Sequence, residues 1–199
     1  MAARSTLTRS LARPAANIST CGKFRYNLTR DWSEGSTTPI ALWVMLNPST
    51  ADHEMDDPTI RRCVDFSKRF ECGRLEVVNL FAYRTSDPAE LYADEDDHKA
   101  THTDPDNQWA VYEALERCVA SGGRIIVAWG AHRIAVRSVI PKLVLGLGSA
   151  GSPNLWCLGT TKSGAPKHPL YVRAETPLER WLPWPWTSPV TSPVTSPVR

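Results

Sequence analysis

The chain has 199 residues, of which 42% are hydrophobic and 22% are charged, and its formal net charge is +2. This length suits one soluble domain with a sizeable core. No stretch approaches the roughly 18 apolar residues of a membrane span, and the small net charge gives no overall basic field for nucleic acid. The five cysteines are scattered without a C-x-x-C pair. They favour free thiols in a reducing, cytoplasmic setting over a disulfide framework or zinc site.

Both ends of the chain have compositions that are typical of disorder. The first 17 residues contain no acid, a composition that a transit peptide would share. A tandem TSPV repeat begins at Thr187, and its prolines oppose both a helix and a central strand. We therefore predict disordered segments over residues 1–20 and 187–199, with a single α/β domain over residues 21–186 between them.

Four short apolar runs in this domain are typical of buried strands. They cover residues 40–46, 74–81, 124–130 and 154–159. Helices are predicted between them, and the near-continuous apolar character of the runs is typical of parallel strands covered on both faces. The pattern predicts a three-layer α/β sandwich with a central, mainly parallel, four-stranded sheet.

Capping residues predict where the helices begin. Asp57 can cap a first helix with Pro58 in its first turn, and Asp104 can cap a second with Pro105 at its first position. The second helix should end at the glycine pair 122–123. Its apolar residues on one face are Trp109, Tyr112, Leu115 and Val119. A third, short helix is predicted over residues 131–140, ended by Pro141.

Polar residues follow each predicted strand. Asn47-Pro48-Ser49 ends the first strand, Asn79 lies near the end of the second, and His168 lies in the segment after the fourth. In open parallel sheets, ligands bind beyond the carboxyl ends of the strands. The sequence therefore predicts a ligand site at this edge, with Tyr83 and Tyr171 as candidate aromatic surfaces.

Basic residues near this edge could contact phosphate groups. Arg61 and Arg62 lie on the first predicted helix, and Lys162 and Lys167 follow the fourth strand. A solvated helix face is the simpler interpretation of the two arginines. If the cleft binds nucleic acid, all four residues are candidate phosphate ligands.

Three other kinds of site have weaker support. Residues 146–151 read GLGSAG, but a strand follows where a dinucleotide-binding motif requires a helix. Acids and histidines cluster over residues 52–57 and 94–104, yet acidic runs are usually solvated loops, so we predict neither a metal nor a cofactor. A serine hydrolase using Ser49 and His168 remains an alternative, although the G-x-S-x-G elbow is absent.

Five motifs resemble domain-of-unknown-function family 1643 of bacteria and phages. They are MLNPSTAD, DDPTIRRC, VVNLFAYRTSDP, AWGAH and GTTKSGAPKHPLY, and they span roughly residues 26–171. This resemblance by itself implies no activity.

The order of the strand-end motifs is also similar to that of the uracil-DNA glycosylase superfamily. By that resemblance, Asn47 corresponds to the residue that positions or activates water, Asn79 to the one that reads the base edge, and His168 to the histidine that stabilises the departing base. Ser49 or Lys167 would then hold phosphate. The chain departs from the pattern because Leu46, and no glycine, precedes Asn47.

This resemblance implies a base-processing enzyme, most simply a glycosylase-like hydrolase that acts on the N-glycosidic bond of a modified base. Asn47 and His168 would be catalytic, and Pro48, Ser49, Asn79, Tyr83 and Tyr171 would contact the base. The expected partner is nucleic acid or a nucleotide, with a monomeric protein and no membrane. The alternatives are a non-catalytic binding module with the same cleft and an unrelated small-molecule hydrolase.

Overall fold

The computed structural model describes residues 15–33, 38–49, 51–52, 55–92, 104–133, 135 and 155–181. They form one seven-stranded sheet with an α-helix on each face. The strands are β1 (Ala15–Ile18), β2 (Arg25–Asp31), β3 (Ile40–Met45), β4 (Arg74–Asn79), β5 (Arg124–Val127), β6 (Leu155–Cys157) and β7 (Glu179–Arg180). The helices are α1 (Pro58–Arg69) and α2 (Pro105–Ala120), with 3-10 turns at Pro88–Tyr92 and Pro169–Tyr171.

The sheet is mixed, and this corrects the predicted four-stranded sheet. Its strand order is β1-β2-β4-β3-β5-β6-β7. The four predicted strands lie at the centre and run parallel to one another. Strands β1, β2 and β7 are antiparallel to their neighbours and extend both sides of the sheet. The architecture is therefore α/β with a parallel centre and antiparallel edges.

The edge strands escaped prediction because they contain few apolar residues. Strand β2 reads RYNLTRD, and only Arg25, Leu28 and Arg30 in it are buried. Strand β1 lies inside the segment predicted to be disordered, but it pairs with β2 from Ala15 to Ile18. Strand β7 has two residues. Strands outside the centre of a sheet have faces that are only partly covered, so their sequences carry a weak apolar signal.

Helix α1 begins where its cap predicts. The Asp57 carboxylate accepts a hydrogen bond from the backbone N–H of Ile60 at 2.8 Å, and Pro58 occupies the first turn. The helix buries Ile60, Cys63 and Phe66 against one face of the sheet. Trp43 of β3 is fully buried beneath it and donates from Nε1 to the Ser67 hydroxyl at 2.9 Å.

Helix α2 also starts at its predicted cap, Asp104, but it packs with a different face from the one predicted. Leu115 is buried, whereas Trp109 is 63% exposed and Val119 is 61% exposed. The buried face consists of Asn107, Ala110, Val111, Ala114, Leu115 and Cys118. Small residues on that face allow the helix to approach the sheet closely. Trp109 instead stacks on Tyr112 at the surface, with ring centroids 5.8 Å apart.

The side chains of Cys63, Cys118 and Cys157 are fully buried. Several other predictions lie outside the described residues: most of the helix over 131–140, the GLGSAG segment, most of the second acidic cluster and the TSPV tail. Within the described part of the chain, no helix has the length and apolar character that crossing a membrane requires. The same residues contain no group of three His, Cys, Asp or Glu arranged to hold a metal.

Candidate functional site

A cleft of about 480 Å³ lies at the carboxyl edge of the parallel strands. Residues at the ends of β3 and β4, the loop after β5, the first turn of α1 and the turn after β6 surround it. Five predicted site residues line this cleft: Asn47, Ser49, Asn79, His168 and Tyr171. They are separated by up to 124 residues along the chain (171 minus 47). The parallel topology brings them together because every central strand ends at this edge.

Asn47 ties two loops of the cleft wall together. Its Nδ2 donates to the carbonyl oxygens of Pro48, at 3.1 Å, and of Thr85, at 2.8 Å. The backbone N–H of Thr85 donates in return to the Pro48 carbonyl at 2.9 Å. Both Nδ2 hydrogens are therefore used within the protein. The Asn47 side chain can offer a ligand only its oxygen Oδ1, which is a hydrogen-bond acceptor.

His168 lies immediately before the 3-10 turn Pro169–Tyr171. Its Nδ1 accepts a hydrogen bond from the backbone N–H of Leu170 at 3.3 Å, so the proton of the neutral ring is on Nε2. Burial lowers the pKa of His168 below its ordinary value of 6.5, although the nearby Asp57 carboxylate opposes this shift. At neutral pH, the ring is therefore uncharged and presents Nε2–H as a donor. The ring of Tyr171 lies 5.5 Å from it between centroids, and the tyrosine is 83% exposed.

Asn79 ends β4 at the floor of the cleft, and it is 1% exposed. Its neighbour there is Arg25 of β2, which is 2% exposed and which also lines the cleft. Nη2 of Arg25 lies 3.5 Å from Oδ1 of Asn79, and Nη1 donates to the Ala51 carbonyl at 2.8 Å. The buried guanidinium of Arg25 is therefore in contact with the asparagine that was predicted to read the base edge.

The first turn of α1 contributes a second wall. Asp57, Pro58, Thr59 and Ile60 all line the cleft. The amino end of a helix carries a partial positive charge, and the Asp57 carboxylate offsets part of it as the capping group. The loop after β5 contributes another part of the lining, which consists of Trp129, Gly130, Ala131 and His132.

The remaining predicted site residues do not line the cleft. Pro48 is buried beneath it, and Tyr83 packs edge-on against Phe24 with centroids 5.9 Å apart. None of the four candidate phosphate ligands, Arg61, Arg62, Lys162 and Lys167, is part of the lining. Arg61 donates to the Asp56 carbonyl, while Lys162 and Lys167 are exposed side chains nearby.

Arg62 instead supports the histidine turn from outside the cleft. Its Nη2 donates to the Val172 carbonyl at 2.6 Å, and its Nε donates to the Pro169 carbonyl at 3.4 Å. The guanidinium carbon also lies 4.9 Å above the Phe66 ring. This arginine joins α1 to the turn that carries His168.

Arg25 is a buried, charged cleft residue that sequence reasoning missed. It lies at the start of an edge strand that the apolar pattern did not reveal, 54 residues before Asn79. An arginine between Phe24 and Tyr26 gives no local sign that it is buried. Its position depends on the pairing of β2 with β4, which is a tertiary contact.

The comparisons with known proteins concern the same part of the chain. The family described as Protein of unknown function (DUF1643) matches residues 25–170, which is more than half of the chain and includes every residue of the cleft except Tyr171. No curated protein and no solved structure matches it. The chain therefore belongs to the DUF1643 family of proteins of unknown function.

Proposed function

We propose that this protein processes nucleobases, as a glycosylase-like hydrolase that cleaves the N-glycosidic bond of a base in nucleic acid or a nucleotide. The observation that carries the proposal is that Asn47, Asn79 and His168 line one cleft at the carboxyl edge of the sheet. These are the three residues that the resemblance to uracil-DNA glycosylases assigns to water, base edge and departing base. A cleft of about 480 Å³ is also within the usual range for small-molecule sites.

The proposed reaction uses the polarity of these side chains. The C1′–N bond breaks with its electron pair remaining on the base, and the oxygen of a water molecule bonds to C1′. One water proton ends on the base. The Asn47 oxygen, an acceptor, would orient that water. His168, neutral with Nε2–H as its donor, would stabilise the negative charge that develops on a base oxygen.

The aromatic residue beside the cleft suits a base that has left a stack. Tyr171 is 83% exposed next to His168, so its ring is accessible to a ligand at the cleft mouth. Stacking on an aromatic ring contributes about 1–3 kcal/mol per base in single-strand recognition. A base in duplex DNA would have to be flipped out before it could reach the floor.

A non-catalytic binding module is the second candidate. The specific observation in its favour is that both Nδ2 hydrogens of Asn47 are already bonded to backbone carbonyls. An asparagine held in this way contributes to the wall of a binding cleft even if it activates no water. The two candidates predict the same ligand but differ in turnover.

The test is incubation of the purified protein with DNA that contains uracil or hypermodified bases, followed by detection of abasic sites and released base. Asn47→Ala and His168→Ala should each abolish release while the far-UV circular dichroism spectrum is unchanged. Asn17→Ala, an exposed asparagine on β1, is the matched control and should retain full release.

Three results would decide between the candidates. Release that depends on Asn47 and His168 supports the hydrolase. Saturable binding of a nucleotide without release supports the binding module. Full activity of both cleft variants, or neither binding nor release with any substrate tested, contradicts the proposal.

A further inference from the structure

Arg25 is a buried positive charge without an ion-pair partner among the described residues. It is 2% exposed, and none of the described carboxylates lies within 4.0 Å of its nitrogens. Burial lowers its pKa to about 10, with Asp57 and Asp52 acting in the opposite direction from a greater distance. The side chain is therefore charged at neutral pH. Burying an unpaired charge is costly, and proteins normally pair such a group.

The hydrogen bonds of Arg25 leave its Nε donor unused. A guanidinium has five N–H groups. Nη1 donates to the Ala51 carbonyl and Nη2 points to the Asn79 oxygen, but Nε is buried with no partner in the described part of the chain. Arg25 also forms part of the cleft lining.

Asn79 adds a second unused donor at the same place. Its Nδ2 is buried and has no partner among the described residues. Rotating the amide by half a turn would place this NH2 group against the Arg25 guanidinium, where donor would meet donor. The arginine therefore orients the amide with Oδ1 toward itself, and the Asn79 NH2 group remains as an unused pair of donors.

Both the Arg25 Nε–H and the Asn79 NH2 group lack a hydrogen-bond acceptor among the described residues. An unsatisfied buried donor costs about 1–3 kcal/mol, and more if it is charged. The Asp57 carboxylate caps α1 through the Ile60 N–H, and it does not remedy this because it lies beyond 4.0 Å of the Arg25 nitrogens. The wall around the floor includes the apolar side chains of Met45, Leu46 and Trp129, which weaken the screening of charge.

We propose that Arg25 and Asn79 form a subsite at the cleft floor that binds a negatively charged oxygen of the ligand. A phosphate oxygen and an exocyclic oxygen of a deprotonated base both have this chemistry. The subsite does not depend on the hydrolase proposed above, since it concerns binding and requires no bond to break. Arg25 is a specificity-determining residue in this proposal, and it also positions the Asn79 amide.

The subsite can be tested directly by NMR. The experiment follows the arginine Nε–H resonances in a ¹⁵N-resolved spectrum of the full-length protein. The probes are inorganic phosphate and 5-nitrouracil, a base whose nitro group makes its ring acidic enough to be anionic near neutral pH. Each probe is titrated into the protein at constant ionic strength, and sodium chloride is titrated in parallel as the reference salt. The Arg25 Nε–H resonance, identified by its loss in Arg25→Lys, should shift saturably with at least one probe.

Arg30 is the internal control for this titration. It lies on the same strand and is also buried, but its Nε already donates to the Asp56 carboxylate at 2.8 Å. Its resonance should not move. A response to phosphate alone identifies a phosphate oxygen, and a response to 5-nitrouracil alone identifies a base oxygen. No response to either probe, or parallel shifts of Arg25 and Arg30, overturns the proposal.

Two variants extend the test to affinity. Arg25→Lys should weaken the probe that binds by at least tenfold, because lysine lacks the Nε–H and cannot hold the Asn79 amide. Should Arg25→Lys fail to fold, Asn79→Asp serves instead, since it places a carboxylate of the same shape beside Arg25. That built-in acceptor should abolish binding of the anionic probe. Wild-type affinity in Asn79→Asp would contradict the subsite.

The outcome is separable from that of the proposed reaction. Probe binding at Arg25 without any base release leaves the subsite intact and removes the hydrolase. Base release by the wild-type protein, with no shift of the Arg25 resonance with either probe, leaves the hydrolase and removes the subsite.

Discussion

Arg62 donates a hydrogen bond from Nη2 to the carbonyl oxygen of Val172 at 2.6 Å, and so links helix α1 to the turn that carries His168. The two residues are 110 positions apart in the chain. A basic residue on a helix near a candidate nucleic-acid site invites a phosphate-binding role, but this side chain is already engaged within the protein. Its effect on the cleft is to hold one wall in place.

We expect Arg62→Ala to destabilise the protein by about 2 kcal/mol, because two backbone carbonyls lose a charged donor and the contact with Phe66 is lost. Arg61→Ala is the matched control. The Arg61 side chain is next to Arg62 in the sequence, is exposed, and bonds among the described residues only to the Asp56 carbonyl. This substitution should change stability by less than about 0.5 kcal/mol. Urea denaturation of both variants measures the difference, and equal effects would contradict the supporting role of Arg62.

Asn47→Ala should cost about 1–2 kcal/mol of stability, because the Pro48 and Thr85 carbonyls lose the donor that joins their loops. Ser49→Ala in the same loop is the comparison, and it should be nearly neutral because no hydrogen bond of its hydroxyl is present in the described part of the chain. Thermal unfolding of the two variants provides the measurement. An Asn47→Ala protein as stable as the wild type would show that the loops are held in another way.

The pKa of His168 predicts a pH dependence of stability. Burial lowers this pKa in the folded protein, so the unfolded chain binds the proton more readily. The free energy of unfolding should therefore be at its full value above about pH 6.5 and should fall as the pH drops from there through the lower pKa of the folded state.

His168→Gln should remove this component, since glutamine does not titrate. Urea denaturation of the wild type and the variant between about pH 5 and about pH 8 isolates it as the difference between two curves. The wild type should lose more stability than His168→Gln on the acid side. A difference that is independent of pH would show that His168 is protonated equally well in the folded and unfolded chains.

The orientation of α2 can be tested with two substitutions on that helix. Leu115 is 1% exposed in the core, so Leu115→Ala should cost about 3 kcal/mol through a cavity and lost apolar contacts. Trp109 is 63% exposed, so Trp109→Ala should cost less than about 1 kcal/mol, mainly through its stack on Tyr112. Chemical denaturation distinguishes the two. A larger loss of stability in Trp109→Ala than in Leu115→Ala would support the buried helix face that the sequence predicted.

The candidate site was predictable to the extent that it depends on strand ends. Asn47 and His168 follow apolar runs and Asn79 lies near the end of one, and the rule that parallel strands present their carboxyl ends to one edge is enough to place them together. The groups that each side chain contacts were not predictable in this way. Whether Arg62 meets a phosphate or the Val172 carbonyl depends on the fold of a distant segment.

The four central strands and the starts of both helices could be predicted locally, because they depend on apolar runs and on caps within four residues. Other features depend on contacts between distant segments. Tertiary structure placed the polar strand β2 beside β4 and thereby buried Arg25 behind Asn79. It also turned the small residues of α2, rather than Trp109, toward the sheet. Burial is a property of the assembled layers, so a polar strand or an arginine reveals its place only when its neighbours are known.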